Sequence, residues 1–497
     1  MNHLLKRILD MAAERPRTAA AIGVSLCLFS ALMASVVSTS GCSDNDDATF
    51  VDPGDARPVA SGDMPIAGIV GEPDMRIRIA AKIPTAELAG AEGFWVTPVT
   101  GFRREKGELV KGPLVVELDD FGWSIARSGG KPLRYSADKD IEIKGVAEKA
   151  ADGSDQHVIV NGTAYAGKFR LTAQTSGGNQ VGDVAKTAEG EAPGGADPTA
   201  VRTAAPAPSS FDIIEYIGME QYLPGVVSKE LFQDWPLEAY KVQAICARSY
   251  AIHEKLRSTA SGRKFDVEST TRDQAYKGVS HLPVAVEAVD ATRGMVLAYG
   301  GAVLRTYYSS TCGGRTASAK DTWPIGRGYE YNLAEPIQGH DRDFACQKSP
   351  LFTWRIERDK AELARRMAAY GDKMGFMVRQ IKDLQSISVI KTNATGRPAA
   401  YKIVEPGGKW FTLKAEELRL ACNTDFPGST PIDRKNRVNS GDLEFVMQGS
   451  SAVISGRGFG HGVGMCQYCV REMAGRGEGF EAMLPRFYPG SRLGRAY

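Results

Sequence analysis

Apolar and polar positions keep different periods along the chain, and the changes of period divide it. Residues 19–37 are almost continuously apolar, the one run long enough to meet a bilayer. Lys6, Arg7, Arg15 and Arg17 precede this run, and Ser38, Thr39, Ser40 and Gly41 come after it, so residues 1–41 read as an export signal. Residues 42–74, with Asp44, Asp46, Asp47 and scattered Pro and Gly, have no period and read as a solvated tether. Between 75 and 173, short runs rich in β-branched residues (76–79, 114–118, 142–144 and 157–160) alternate with Gly, Asp and Ser turns, which predicts a small antiparallel β unit. Residues 174–210 are mostly Gly, Ala, Pro and Thr and read as a flexible insertion.

From 211 to 497 the pattern is stronger. Asp234-Trp-Pro236 opens a helix whose apolar period runs to about Leu256. Residues 295–299 and 303–307 flank Gly300-Gly301, the chemistry of a two-residue hairpin turn. Gly456, Gly458, Gly460, Gly462 and Gly464 alternate before a helical segment from about 465 to 474. The predicted class is α+β: a mixed fold in which the small antiparallel unit precedes, or packs on, an α/β catalytic core.

Composition narrows the choice. The 497 residues are 43% hydrophobic and 24% charged, as in ordinary globular proteins. Lys+Arg 61 against Asp+Glu 59 leaves a net charge of +2 with the signs interspersed, which argues against a nucleic-acid partner held by bulk charge. Ser40-Gly-Cys42 resembles a bacterial lipobox, so Cys42 is the expected lipidation site and membrane tether; Thr39 departs from the usual aliphatic residue. Beyond Cys27 and Cys42, Cys246, Cys312, Cys346, Cys422, Cys466 and Cys469 remain, an even number in an exported chain, and disulfides are the expected state. Cys466-Gln-Tyr-Cys469 has the spacing of a zinc half-site or a redox pair, but no second CxxC and no HxxxH accompanies it.

Candidate chemistry falls in four places. On a helical wheel from Pro236, Lys241 and Arg248 lie one above the other inside the apolar stripe Leu237, Tyr240, Ala244, Ile245, Ala251 and Ile252, so each needs an anionic partner or an opening to ligand. Glu230 lies just upstream, before Leu231-Phe232; desolvation would raise its pKa toward that of a general acid, and a nearby Lys would lower it. Tyr307, Tyr308, Ser309 and Ser310 open a hydroxyl-rich run ending in Gly313-Gly314-Arg-Thr316, suited to a sugar or to a plain loop. His461 is flanked by Gly on both sides, either to let backbone approach a ligand or as a turn packed on a strand.

Together, Glu220-Gln-Tyr-Leu-Pro-Gly-Val-Val-Ser-Lys-Glu230, Pro236-Leu-Glu-Ala-Tyr-Lys241-Val-Gln-Ala-Ile-Cys-Ala-Arg248-Ser-Tyr250, Asp273-Gln-Ala-Tyr276, residues 307–316 and Gly458-Phe-Gly-His-Gly-Val-Gly-Met465-Cys-Gln467 resemble the stage II sporulation protein D (SpoIID) and amidase-enhancer family. The resemblance is weak from about Met75 and firm from Glu220 onward. It implies a peptidoglycan lytic transglycosylase acting on glycan strands stripped of stem peptides, or a noncatalytic wall-binding protein that stimulates a cell-wall amidase. For the enzyme it makes Glu230 the acid and base and Lys241 a residue needed for activity. Arg248, Gln274, Tyr307, Tyr308, Ser309, Ser310, His461 and Gln467 become candidates for the glycan groove. Some members bind zinc through Cys and His just before the matched Gln; here Asp266-Val-Glu-Ser-Thr-Thr-Arg-Asp273 has neither, so no zinc and no cofactor are expected. Cys466 and Cys469 stand where the family usually has Ser and Gly.

Overall fold

A computed structural model describes residues 62–63, 69–146, 157–174, 209–340 and 344–497. The expected export signal, Cys42 and nearly all of the 174–210 insertion lie outside the described residues. No helix among the described residues is long and apolar enough to cross a membrane.

The fold is α+β, as its changing periods predict. Its main sheet runs in the order Val267–Glu268, Asp74–Ile83, Ser210–Gly218, Lys168–Gln174, Asp140–Gly145, Phe94–Thr100 and Arg103–Arg104, with Glu108–Val110 also on Phe94–Thr100. All pairs are antiparallel except Val267–Glu268 with Asp74–Ile83. A second antiparallel sheet carries Thr85–Ala89 and Leu114–Asp119 at its centre. Along Leu114–Asp119, Leu114, Val116 and Leu118 are buried while Val115 and Glu117 are exposed, the alternation of a strand wet on one side. Strand Ser210–Gly218 lies between Asp74–Ile83 and Lys168–Gln174, so the β-rich part is knitted into the segment that carries the helices. One hydrophobic cluster takes in Ile77 and Leu171 of the main sheet, Leu88 and Trp123 of the second, and the helices packed beside them.

Helix α1, Met219–Glu230, continues directly from Ser210–Gly218. A Cβ on Gly225 would come within 2.3 Å of the Gly278 carbonyl oxygen, so glycine there lets α1 lie against the 276–278 segment. Helix α2, Leu237–Ala260, is buried over most of its circumference, and Pro236 caps it. Helix α3, Pro283–Ala291, precedes the hairpin Met295–Tyr299 to Ala302–Val303, whose turn residues Gly300 and Gly301 both have positive φ, as a two-residue turn requires.

Between 353 and 457 the chain builds a second core, from helix α4 (Lys360–Met374), helix α5 (Ala415–Cys422) and two three-stranded sheets. Local rules are obeyed closely here: the Asp359 carboxylate accepts from the Glu362 N–H at the start of α4, and Gly375 in the left-handed region ends it. The chain then returns to the first core with the short strand Met465–Cys466, helix α6 (Gln467–Gly475) and helix α7 (Phe480–Phe487).

Candidate functional site

Glu230 is the last residue of α1, where the chain turns extended at Leu231. One carboxylate oxygen accepts from the Ala275 N–H at 3.4 Å and the other from the Gln467 side-chain amide at 3.3 Å. The Tyr308 hydroxyl lies beside the carboxyl. Burial raises the Glu230 pKa, and these three groups offset the rise only in part. Because these groups are neutral, they support the charged form without fixing it, which leaves the carboxyl able to hold or release a proton.

Each side chain is held in turn. Tyr308 and Ser309 form a two-residue strand paired parallel with Met465–Cys466, which brings the hydroxyl-rich run beside the start of α6. The Tyr308 hydroxyl accepts from the Gln274 amide at 3.2 Å; that amide also donates to the Ala247 carbonyl at 3.1 Å, and the Gln274 carbonyl oxygen accepts from Tyr222 at 3.2 Å. The Gln467 amide donates to Gln243 of α2 at 3.2 Å. Thus Glu230, Gln274, Tyr308 and Gln467, all expected from sequence, converge in one cluster.

Tyr308 also ties this cluster to the glycine run. Its backbone carbonyl lies beside the His461 ring, whose Nδ1 accepts from the Val463 N–H at 3.0 Å. Burial pushes the His461 pKa down to about 4, so the ring is neutral at neutral pH. It meets Trp323 edge-on at 4.9 Å, and Trp323 stacks on Tyr307 at 3.9 Å. The alternate glycines fit against this strand: a Cβ on Gly464 would lie 2.1 Å from the Tyr307 carbonyl oxygen, and one on Gly460 would lie 2.9 Å from Ser309 Cβ. The run is a turn packed on a strand. Ser309 Oγ accepts from the Gly462 N–H at 3.2 Å and Ser310 Oγ bonds Thr311 at 3.4 Å, so both hydroxyls serve the local loop structure.

Two expected residues sit elsewhere. Lys241 does not hold Glu230: its ammonium pairs with Glu238 at 2.7 Å and lies 5.8 Å from the Phe480 ring centre. Positions two apart on a helix do not face the same way, and it is Gln243 that faces Gln467, so Lys241 points to the other side of α2. Arg248, stacked on the Lys241 side, is not in a groove: it is fully buried and forks onto both Glu220 carboxylate oxygens at 2.8 and 2.7 Å. The sequence pattern does not mark Gln243 or Tyr222, nor Phe232, Trp235 and Tyr468, which form an aromatic group next to Glu230 and Gln467 with ring centres 5.7 and 5.2 Å apart. Leu231-Phe232 directly after the acid is the signal that could have found that group.

The six described cysteines are free thiols, so the disulfides expected from their even number are not formed. Four of them, Cys312, Cys346, Cys466 and Cys469, gather with their sulfurs all within 4.8 Å of one another, and they are the described group best suited to a soft metal ion.

Residues 208–299 match the family model described as SpoIID, stage II sporulation protein, which takes in Glu230, Lys241, Arg248 and Gln274. Residues 327–464 match a domain of unknown function that contains the second core. The chain is 29% identical over 279 residues to an uncharacterized protein of Brachyspira hyodysenteriae, covering 56% of this chain and 67% of that one. It is 26% identical over 297 residues to stage II sporulation protein D of Bacillus subtilis, covering 57% of this chain and 76% of the relative. To the amidase enhancer of the same organism it is 27% identical over 306 residues, 54% of this chain and 40% of the relative. Through the region that carries Glu230, the chain belongs to the SpoIID and amidase-enhancer family.

Proposed function

We propose that this protein is a peptidoglycan lytic transglycosylase that cleaves the MurNAc–GlcNAc linkages of peptide-free glycan strands with Glu230 as its one acid and base. The observation that carries the reading is the setting of that carboxyl: desolvated, its pKa raised, hydrogen-bonded by Gln467 and the Ala275 N–H, and with the Tyr308 hydroxyl beside it. As an acid, Glu230 gives its proton to the bridging oxygen while the MurNAc C1–O bond breaks. As a carboxylate, it takes the proton from the MurNAc C6 hydroxyl, whose oxygen bonds to C1 to make a 1,6-anhydro end. The proton count closes within the cycle, and no second carboxylate is needed because the nucleophile belongs to the sugar. Phe232, with 61% of its surface exposed, and the half-buried Tyr468 offer ring surface for the sugar beside the acid, with buried Trp235 packed against both. Lipidation at Cys42 would tether the exported protein at the membrane, facing the wall.

Glu230→Gln tests the reading by mass spectrometry of products from purified denuded strands. Loss of general acid–base catalysis is worth roughly 10²–10⁴-fold, so anhydro-ended sugars should fall below detection while strand binding persists. Wild-type protein that binds strands and releases no such ends would instead favour the noncatalytic wall-binding, amidase-stimulating role.

A further inference from the structure

We infer that Cys312, Cys346, Cys466 and Cys469 form a structural zinc site that pins the start of α6, and with it the Gln467 amide, against Glu230. The four ligands come from three separate places. Cys312 lies in the loop after the strand Tyr308–Ser309, Cys346 opens the short helical turn Cys346–Lys348, Cys466 ends the strand Met465–Cys466, and Cys469 is in the first turn of α6. Each is at most 2% exposed.

The geometry matches a tetrahedron of thiolates. With zinc–sulfur bonds of about 2.3 Å, the sulfurs of such a site are about 3.8 Å apart. Cys312 Sγ stands 3.5 Å from Cys346 Sγ and 3.9 Å from Cys469 Sγ, and no pair in the group exceeds 4.8 Å. A disulfide needs about 2.05 Å. Around one divalent cation the four thiolates close a complete coordination shell, which is the pattern of a structural site with no open position for water.

The surroundings supply the support that metal thiolates ordinarily have. The Cys312 N–H donates to Cys466 Sγ at 3.3 Å. Arg397 and Arg457 hold the Cys312 and Gly313 carbonyls at 2.9 and 2.8 Å, fixing the backbone around that donor. Cys466 and Cys469 stand at the N-terminal end of α6, where the helix dipole favours negative charge. Gln467 lies between these two ligands, so a metal that fixes them also fixes one of the two donors on Glu230. The ligands differ from the Cys and His that bind zinc in some family members, and the site stands independently of the proposed reaction.

The test is metal analysis of the full chain purified without chelator or reductant. Wild-type protein should carry about one zinc per chain, with an intact mass that shows all four cysteines unoxidised, and exchange into cobalt should give thiolate-to-cobalt charge-transfer absorption. Cys346→Ser should lower retained zinc at least about tenfold after dialysis, whereas Cys422→Ser, in the second core, should leave it unchanged. Zinc-free protein with two disulfides among these four cysteines, or reduced protein that takes up no zinc on titration, would overturn the inference whether or not the serine variant folds.

Discussion

Arg248 is expected from sequence in the glycan groove and is found in a buried ion pair, and a substitution can decide between the two roles. Its side chain is fully buried, that of Glu220 is 4% exposed, and the pair is completed by guanidinium bonds to the Met295 carbonyl at 3.1 Å and the Val289 carbonyl at 3.3 Å. Arg248→Met keeps much of the volume and leaves Glu220 in the interior with only the Tyr497 hydroxyl and the Gly294 N–H. Breaking a buried pair on one side costs roughly 3–5 kcal/mol; the two remaining donors place the loss near the lower end, about 3 kcal/mol, because each recovers on the order of 1 kcal/mol. Urea unfolding of the full chain, monitored by tryptophan fluorescence and by circular dichroism, measures it. Arg248→Met/Glu220→Gln, which leaves no orphaned charge, should recover at least half of the loss. Burial raises the Glu220 pKa, but the Arg248 bonds and charge, with Tyr497 and Gly294, outweigh this and hold it low. The pair's stability is therefore present above the unfolded carboxyl pKa and lost as pH falls through the folded one, and the double variant should lack that acid-side loss. Arg248→Met with wild-type stability and abolished strand binding would refute the reasoning and return Arg248 to the ligand.

The carboxyls and the imidazole carry further expected outcomes. Gln467→Leu removes a donor that lowers the Glu230 pKa, so the alkaline limb of the rate profile should move to higher pH; an unchanged limb would separate Gln467 from the acid. Buried Glu215 has its pKa pushed up to about 7 by desolvation, partly offset by the Gly167 N–H. Its folded pKa is raised, so stability should decline from about pH 4.5 to 7, and Glu215→Gln should remove a cost on the order of 3 kcal/mol at pH 8 while changing little at pH 5. With its pKa pushed down to about 4, His461 should show no ring titration by NMR between pH 8 and 5.

Much of the fold and part of the candidate site are legible in the chain. The Gly300-Gly301 hairpin, the start of α2 and the helix after the glycine run are local matters of turn and cap chemistry, and they form where those rules put them. Four of the expected site residues meet for the same reason, since they lie in segments whose packing partners are also in the quoted motifs. The wheel fails for α2 because that helix is buried nearly all round: an apolar stripe then marks one packed side among several, and the side that faces the acid is marked by Gln243. Nor could spacing reveal the four-cysteine cluster, as only one half of it is a CxxC and the other half comes from single residues on separate loops.

The second core leaves and rejoins the rest of the molecule at neighbouring points. Thr353 pairs with Arg457 in an antiparallel ladder, and the Gly458 N–H returns to the Leu351 and Phe352 carbonyls. Partners in such a ladder are about 5 Å apart, so everything between them adds almost no net displacement to the backbone it interrupts. An ancestor could acquire or discard that whole module in one genetic event with little displacement of Glu230, and relatives differing in just this way would be expected to keep the first core while presenting different outer surfaces.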